Sequence, residues 1–262
     1  MSKHKYLLKR DVRDERDYLF YDNFIMGTEL PASVDLRSKM PPIFNQLELG
    51  SCSSNATCAC LMYTIGANTP MLSRLFHYWE ERNIENTVSE DSGAMLIDAC
   101  KVVQTIGICT DELFPYDITQ FTDTPTPVMD SNAKNYIVKG YHRVKGILQV
   151  QQALALGMPV IIGMDVFASM ESDSVAKTGI LPMPKHGEQL LGGHATLVVA
   201  YETSSHINPL ETLVDEILNK STSNISLTVR NSWGSTWGQA GHFIMSEDYF
   251  EKYVTDAWVL EK

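Results

Sequence analysis

Apolar and polar positions recur with two different periods along the chain, and the period changes near the middle. In the first half, apolar residues repeat every three or four positions over residues 71–83 and 93–105, which is typical of helices. Between Ser51 and Gly66 the residues are mostly small or apolar, which predicts a buried helix with a serine cap and a glycine stop. The first half is therefore predicted to be helical.

The second half follows the period of two that strands show. Strands are predicted at 135–144, 159–167, 195–200, 227–230 and 241–245, with a short helix at 148–156 that ends at Gly157. Pro125 and Pro127 favour a surface linker over 122–130. The pattern predicts an α+β protein with a helical lobe over 30–130 and a β-rich lobe over 131–262. Ligand sites commonly lie at the seam between such lobes.

Two segments stand apart from these lobes. Residues 1–29 alternate charged and aromatic side chains with weak periodicity and are too few for a domain, so we expect an arm lying on the body. Residues 203–226 are predicted to be an insertion between two strands, with a helix that begins at Asn208-Pro209 and has one apolar face. That helix is either a packed lid over the strand connection or a partner-binding surface.

The composition and net charge limit the kinds of molecule that the protein is expected to bind. The chain has 262 residues, 44% of them hydrophobic, with 32 acidic against 21 basic residues and a net charge of −11. Such a surface repels phosphate backbones and anionic lipid, so neither nucleic acid nor membrane is expected as a partner. No signal peptide and no membrane-spanning run of about 20 apolar residues is evident. We expect a monomer that is cytoplasmic or virion-associated.

The five cysteines show no disulfide framework. Cys58 and Cys60 are too close for a comfortable bridge, and no further Cys or His pair follows at zinc-ligand spacing. We therefore expect reduced thiols and no metal site. Cys100 and Cys109 lie in apolar surroundings and are interpreted as core residues.

Cys52 follows Gly50-Ser51 at the start of the predicted buried helix. Unpaired backbone N–H groups and the helix dipole favour an anion there, so the pKa of the thiol is expected to fall and the thiolate to become a nucleophile. Taken alone, a cysteine in this setting is more often a small core residue.

His194 follows Gly192-Gly193 and begins the apolar run ATLVVA, at the edge of a core. A thiolate–imidazolium pair needs a histidine that accepts the cysteine proton and later donates it to a leaving amine. The two glycines would let another chain approach this backbone closely. A buried histidine with purely structural hydrogen bonds is the alternative.

Asn231 and Gln46 offer two supporting roles. The Asn231 amide oxygen can accept the histidine N–H and fix its tautomer, and Trp233 can cover that hydrogen bond. The Gln46 side-chain N–H, with the Cys52 backbone N–H, would form an oxyanion hole. Alone, the asparagine segment is a turn with a buried tryptophan, and the glutamine is a surface loop residue.

The order and spacing of these residues resemble the papain-like cysteine peptidases (peptidase family C1) from Leu30 onward. The matching segments are LPASVDLR (30–37), NQLELGSCSSNA (45–56), LGGHATLVVAYE (191–202) and VRNSWGSTWGQAGHFIMSEDY (229–249). The segments SEDSGA (89–94), GICTDELFPY (107–116) and LPMPKHGEQLLGGH (181–194) are most similar to the divergent microbial and viral branch. His194 lies 142 residues after Cys52, and the insertion accounts for the longer separation of 179 residues to Asn231.

The resemblance implies a papain-like two-lobe fold with a helical left lobe and a β-barrel-like right lobe. It also implies a cysteine-type endopeptidase that cleaves protein or peptide substrates through a Cys52–His194–Asn231 triad and an acyl-enzyme. Gln46 then supplies the oxyanion hole, and no cofactor is needed.

The same resemblance places Gly93, Gly193 and Trp233 as substrate-binding residues of the cleft. It has departures: Ser53 stands where the family has an aromatic residue, and the extra cysteine before the nucleophile, a long pro-domain and a paired-histidine loop are missing. Only residues 1–29 are left to serve as a short pro-segment and intramolecular inhibitor. A deconjugating isopeptidase, a transamidase and an inactive papain-like binding protein remain alternatives.

Overall fold

The computed structural model describes residues 4–12, 14, 17, 19–20, 29–204 and 225–262. Its helices are α1 (Cys52–Ile65), α2 (Arg74–Ile84), α3 (Leu96–Thr105), α4 (Pro127–Ala133), α5 (Gly146–Ala155), α6 (Asp173–Thr178) and α7 (Glu247–Tyr253). Its strands are β1 (Ser33–Asp35), β2 (Gly140–Arg143), β3 (Val160–Phe167), β4 (Leu190–Thr203), β5 (Ile225–Arg230), β6 (His242–Ser246) and β7 (Val254–Glu261). The mixture of helices and antiparallel sheet confirms the α+β prediction.

Helix α1 forms the centre of the first lobe. Every residue from Cys52 to Met62 is buried, because the side chains are small or apolar and polar ones such as Ser53 and Asn55 are hydrogen-bonded within the protein. The helix ends at Gly66, as its sequence predicts. One side of α1 packs against α2 and α3, and the other packs against β4 of the sheet.

Helices α2 and α3 both begin three residues later than their periodicity predicts. The Ser73 hydroxyl caps α2 by accepting the Phe76 N–H at 3.0 Å. Gly93 has a positive φ of 64°, which interrupts the helical pattern before α3. The chain then stays extended through Met95. The Met95 N–H donates a hydrogen bond to the Glu85 carboxylate at 2.7 Å. These contacts shape the wall of the groove between the lobes.

The second lobe is an antiparallel sheet in the order β2-β7-β3-β4-β5-β6, with β1 added to β4. Successive side chains point to opposite faces of the sheet. Leu197 and Trp258 therefore pack into the core of the first lobe, whereas Val198 and Val259 pack into the core under α5 and α7. The sheet thus provides one wall of the seam and the scaffold for His194.

Lobe boundaries differ from the predicted division at 30 and 130. Ser33–Asp35 pairs with β4 and so belongs to the sheet of the second lobe. Ala133 and Val138 instead pack into the core of the first lobe. Between β1 and α1 the chain passes from the second lobe to the first, and it returns to the second just before β2.

The linker prediction for 122–130 is wrong in its second half, because α4 begins at Pro127. The Thr126 hydroxyl accepts the Met129 N–H, and Pro127 occupies the first turn, where its missing N–H costs nothing. The sequence also left α7 and β7 unassigned. The predicted helix beginning at Asn208 lies outside the described residues.

Residues 4–12 of the arm run along the groove between the lobes. Leu7 forms a parallel bridge to Gly193 on β4, and Lys9 forms one to Met95 on the opposite wall. Further along, Leu19 bridges Arg143 on β2, and Phe20 is buried in the core of the second lobe. Along the described residues, no helix combines the length and apolar character needed to cross a bilayer.

Candidate active site

Cys52 is the first residue of α1 and is 1% exposed. Its sulfur faces the backbone N–H of Ala195, the residue that follows His194 on β4, and the N–H groups at the start of α1. The nucleophile candidate therefore lies on one lobe and the base candidate on the strand that faces it. All five cysteines are buried and free.

The His194 ring is held by Asn231. Its Nε2 lies 2.9 Å from the Asn231 Oδ1, and both residues are buried. Because an amide oxygen only accepts, Nε2 carries the proton and Nδ1 is left as the acceptor. Within the described part of the chain, Nδ1 has no hydrogen-bond partner. An imidazole in this tautomer can take a proton from a thiol.

Trp233 covers the histidine–asparagine pair. Its indole stacks on the His194 ring with centroids 5.1 Å apart and planes at 22°, while Trp237 packs edge-on against it at 4.8 Å. The Asn231 Oδ1 also accepts the Ser232 N–H at 2.8 Å. The hydrogen bond to His194 is thus sealed from water by an aromatic side chain and oriented by the backbone.

Gln46 is fully buried beside this segment. The Ser232 hydroxyl donates to Gln46 Oε1 at 2.6 Å, and Gln46 Nε2 donates to the Leu49 carbonyl at 3.0 Å. The Gln46 backbone N–H also donates to the Ser232 carbonyl at 2.8 Å. These bonds fix the amide so that its nitrogen points toward the loop before Cys52. Ser232 was not identified from the sequence, although it directly follows Asn231.

Burial controls the protonation of the pair. Desolvation raises the pKa of the Cys52 thiol to about 12, although the Ala195 N–H and the N–H groups of α1 act in the opposite direction. Desolvation also lowers the pKa of His194 to about 4. At neutral pH both side chains are therefore uncharged. The sequence predicted a lowered cysteine pKa; the helix start does favour the thiolate, but complete burial outweighs it.

A buried polar chain lies under the first turn of α1. The Ser53 hydroxyl donates to Glu81 at 2.6 Å, and the second Glu81 oxygen lies 3.0 Å from Nδ1 of His77. The His77 Nε2 binds the Ala99 carbonyl at 3.1 Å. Burial raises the pKa of Glu81 well above its usual value and lowers that of His77 to about 4. A buried carboxyl group with a raised pKa therefore supports the residue next to the nucleophile.

The arm approaches Gly193 closely. The Leu8 N–H donates to the Gly193 carbonyl at 3.2 Å, and a Cβ at Gly193 would collide with the Leu8 carbonyl oxygen. The preceding Gly192 faces Tyr6 in the same way. Glycine is required here because the second backbone lies where a side chain would begin.

The opposite wall of the groove is formed by Gly93 and Ala94. The Leu7 carbonyl covers Gly93 so closely that a Cβ there would overlap it. The Gly93 N–H, however, donates to the Tyr78 hydroxyl at 3.1 Å, and it is the Ala94 carbonyl that accepts the Lys9 N–H at 3.1 Å. Ala94 therefore makes the ladder contact on this wall, a role the sequence did not assign to it.

Tyr6 covers the site and anchors the arm to the second lobe. Its ring packs edge-on against His194 with centroids 5.9 Å apart, and its hydroxyl donates to Glu171 at 2.8 Å. His4 stacks on Trp233. The candidate substrate-binding residues Gly93, Gly193 and Trp233 all contact the arm, so the described arm fills the cleft that they line.

A second anchor holds the arm beyond the cleft. Asp11 accepts the Ile97 N–H at 3.0 Å and the Trp258 indole N–H at 2.8 Å. Burial, followed by repulsion from Asp256, raises the pKa of Asp11 to about 6, while the Arg143 guanidinium opposes that shift. Arg143 also contacts Asp256 at 3.1 Å. The arm is thus fixed to both lobes.

Nothing in the site is arranged as a metal centre. Over the described ranges, no group of three or more His, Cys, Asp or Glu side chains is positioned to hold a metal ion. The residues that the structure brings together are a thiol, an imidazole and two amides. These groups suit nucleophilic and acid–base chemistry.

The two-lobed α+β fold, with a cysteine at a helix start facing a histidine–asparagine pair, defines a cysteine peptidase of the papain type. A family model described as papain family cysteine protease matches residues 30–257. An uncharacterized peptidase C1-like protein of Acanthamoeba polyphaga mimivirus is 32% identical, with 97% of this chain and 84% of that protein covered.

Two further proteins are similar to this chain, one by sequence and one by structure. Cysteine proteinase 3 of Entamoeba histolytica is 26% identical over 83% of this chain, which spans 63% of that relative's length. The crystal structure of xylellain, a cysteine protease from Xylella fastidiosa, matches with a TM-score of 0.82 and 29% identity, covering 99% of this chain and 97% of that one. This chain belongs to the papain family of cysteine proteases, which are hydrolases acting on peptide bonds.

Proposed function

We propose that this protein is an endopeptidase in which Cys52 attacks the peptide carbonyl, His194 transfers the proton and Asn231 positions the histidine. The proposal rests mainly on how the His194 ring is held. Its Nε2 is fixed by Asn231 at 2.9 Å, and its Nδ1 is an unpartnered acceptor among the described residues, on the strand facing the start of α1.

The chemistry follows from these positions. His194 takes the Cys52 proton, the sulfur bonds to the carbonyl carbon, and the carbonyl electron pair moves to oxygen. When that oxyanion collapses, the C–N bond breaks and the imidazolium protonates the leaving amine. A water then attacks the thioester, with His194 as base, and the acid and the free thiol are released.

Gln46 and the backbone N–H of Cys52 would hold the oxyanion. Two donors preorganised in a dry site stabilise developing charge strongly, because they need no reorientation during the reaction. The bond from Ser232 to Gln46 Oε1 supports this role, since it directs the amide nitrogen away from Ser232. Ser232 is thereby a positioning residue.

The arm is proposed to inhibit the peptidase within the same chain. Its backbone occupies both walls of the cleft through Gly193 and Ala94, and Tyr6 covers His194. While it stays there, a substrate has no access and the catalytic pair remains neutral. Departure of the arm would rehydrate the pair, so that the thiolate–imidazolium form becomes accessible.

The test uses the full chain and a full-length arm-loosened variant, Tyr6→Ala with Leu8→Ala, which removes two apolar anchors and keeps the arm's charges. Both are incubated with a library of unmodified peptides and with isopeptide-linked substrates, and products are identified by mass spectrometry. We expect internal peptide cleavage, at least about tenfold faster in the arm-loosened variant.

Cys52→Ala in the arm-loosened background should lower this activity by more than about a thousandfold. Cys60→Ala is the matched control, because Cys60 is an equally buried cysteine on the same helix and should leave turnover intact. Absence of cleavage by the arm-loosened variant, or cleavage that survives Cys52→Ala, overturns the proposed function. Cleavage of isopeptide bonds alone assigns a deconjugating enzyme instead.

A further inference from the structure

Three carboxylates along the groove each form an ion pair with a basic residue of the arm. Asp91 binds Lys5 at 2.6 Å, Glu85 binds Lys9, and Asp165 binds Arg10 at 2.7 Å. Asp91 and Glu85 belong to the first lobe, and Asp165 lies on β3 of the second, opposite Gly193 in the sheet register. Negative charge therefore lines both walls of the cleft.

The two carboxylates of the first lobe are held by the body of the protein. Asp91 accepts the Gly50 N–H at 3.0 Å and the Tyr78 hydroxyl at 2.6 Å. Glu85 accepts the Met95 N–H at 2.7 Å. These bonds do not involve the arm, so both groups keep their orientation when the arm leaves.

Their position relative to the reaction centre is fixed by the same bonds. Gly50, which binds Asp91, lies two residues before Cys52, and Met95, which binds Glu85, follows the Ala94 carbonyl that pairs with the arm. Each carboxylate is thus attached to the backbone of the cleft itself. A cation bound by either one would lie beside a peptide extended through the cleft.

Departure of the arm leaves these anions without their cations. The side chains of Asp91, Glu85 and Asp165 are only 13%, 7% and 18% exposed with the arm in place. Poorly solvated charges gain most from a new partner of opposite sign. Attraction between charges does not depend on chain direction, so a substrate running either way along the cleft can provide that partner.

From this arrangement, and resting on the proposed peptidase activity, we infer that the cleft selects peptides that carry lysine or arginine close to the scissile bond. Asp91, Glu85 and Asp165 are the specificity-determining residues. The arm carries Lys5, Lys9 and Arg10 because it occupies subsites built for basic side chains. The net charge of −11 adds a long-range attraction for such peptides.

The test compares two quenched fluorescent peptides that differ only in lysine against norleucine at the positions flanking the scissile bond. Full-length arm-loosened protein is used, and the readout is the ratio of kcat/KM for the lysine peptide to that for the norleucine peptide. Because the arm excludes both peptides equally, this ratio does not depend on how often the cleft is open. We expect a ratio of at least about five, falling toward one as sodium chloride is raised.

Glu85→Gln and Asp91→Asn, each made in the arm-loosened chain, should lower the ratio about threefold, because each removes one anion that a lysine side chain of the peptide would meet. Both substitutions keep an oxygen that accepts the backbone N–H. Glu112→Gln, an exposed glutamate outside the cleft, is the matched control and should leave the ratio unchanged.

A ratio near one in the arm-loosened chain, or a ratio that both carboxylate variants leave unchanged, overturns the inference while the peptidase activity stands. If neither peptide nor any library member is cleaved, the proposed function fails and the inference fails with it. The two failures are therefore told apart by whether any of these peptides is cut.

Discussion

The imidazole of His4 lies flat against the indole of Trp233, with ring centroids 4.1 Å apart and planes 2° from parallel. Trp233 in turn stacks on His194 and covers its hydrogen bond to Asn231. The arm is therefore joined through one tryptophan to the proposed catalytic base. The Trp233 side chain therefore both holds the arm and orders the proposed base.

Removing the His4 ring should increase the activity of the otherwise intact chain. An aromatic stack contributes about 0.5–1.5 kcal/mol, so His4→Ala should speed peptide hydrolysis by between about two- and tenfold. His186→Ala replaces an exposed histidine away from the arm and serves as the control. Unchanged or slower hydrolysis in His4→Ala would mean that the stack does not restrain the enzyme.

Arm docking should depend on pH through Asp11. Its pKa is raised to about 6 in the docked state by burial and by Asp256, so the docked form binds a proton more tightly than the free arm does. The stabilising effect is complete below the ordinary carboxyl pKa of 3.8 and is lost as the pH rises through about 6. Docking should therefore be tighter at pH 5 than at pH 7.5.

Amide hydrogen exchange measures this directly, since the Leu8 and Lys9 N–H groups are bound only while the arm is docked. After correction for intrinsic exchange, we expect roughly tenfold greater protection at pH 5 than at pH 7.5. Asp11→Asn should abolish the difference. Protection that increases with pH in the wild-type chain would contradict the role assigned to Asp11.

Gln46 and Ser232 should affect turnover more than binding. In the arm-loosened chain, Gln46→Ala should lower kcat by about a hundredfold with little change in KM, because the oxyanion exists only after attack. Ser232→Ala should cause a smaller loss, and Ser232→Thr, which keeps the hydroxyl donor, should restore part of it. Steady-state kinetics of the four proteins would reject this role if KM alone changed.

Glu81 should contribute to stability through Ser53 and His77. Glu81→Leu removes the buried acceptor of the Ser53 hydroxyl and the carboxyl oxygen beside His77 Nδ1, while His77 Nε2 keeps the Ala99 carbonyl. The free energy of unfolding should therefore fall by about 2–4 kcal/mol. Glu81→Gln should cost less, because an amide can still bond to both. Urea unfolding measures these values, with the exposed Glu112→Leu expected to stay within about 0.5 kcal/mol of wild type. Equal effects for Glu81→Leu and Glu112→Leu would show that the buried chain is not stabilising.

Local sequence patterns predicted most of the helices and strands, because hydrophobic periodicity and helix-end signals depend on residues that are close together in the chain. The end of α1 follows from Gly66 and its burial from the small residues before that glycine, but the predicted serine cap is wrong, because the Ser51 hydroxyl bonds to Tyr116 and not to a backbone N–H of the helix. Helix α4 was missed because Pro125 and Pro127 suggested a linker, although proline after Thr126 also suits a first helical turn. The capping signal at Thr126 could have found it.

The contacts that block the site could not be predicted locally. That Leu7 faces Gly93 and Asp11 reaches Trp258 depends on chain segments far apart in sequence. The same holds for the Cys52 pKa, since a helix start lowers it and the surrounding fold raises it by burial. The order of Cys52, His194 and Asn231 predicted the candidate site, and the composition of residues 1–29 predicted an inhibitory arm, but neither predicted the contacts that hold the arm in the cleft.

Labelling of Cys52 by an irreversible epoxide-type thiol inhibitor tests the central claim most directly. Peptide mapping by mass spectrometry shows which of the five buried cysteines reacts. We expect one inhibitor per chain, on Cys52, at a rate at least about tenfold higher in the arm-loosened variant than in wild type, and lost in His194→Ala. Labelling on another cysteine, or on Cys52 at a rate that neither His194→Ala nor the arm substitutions change, would contradict it.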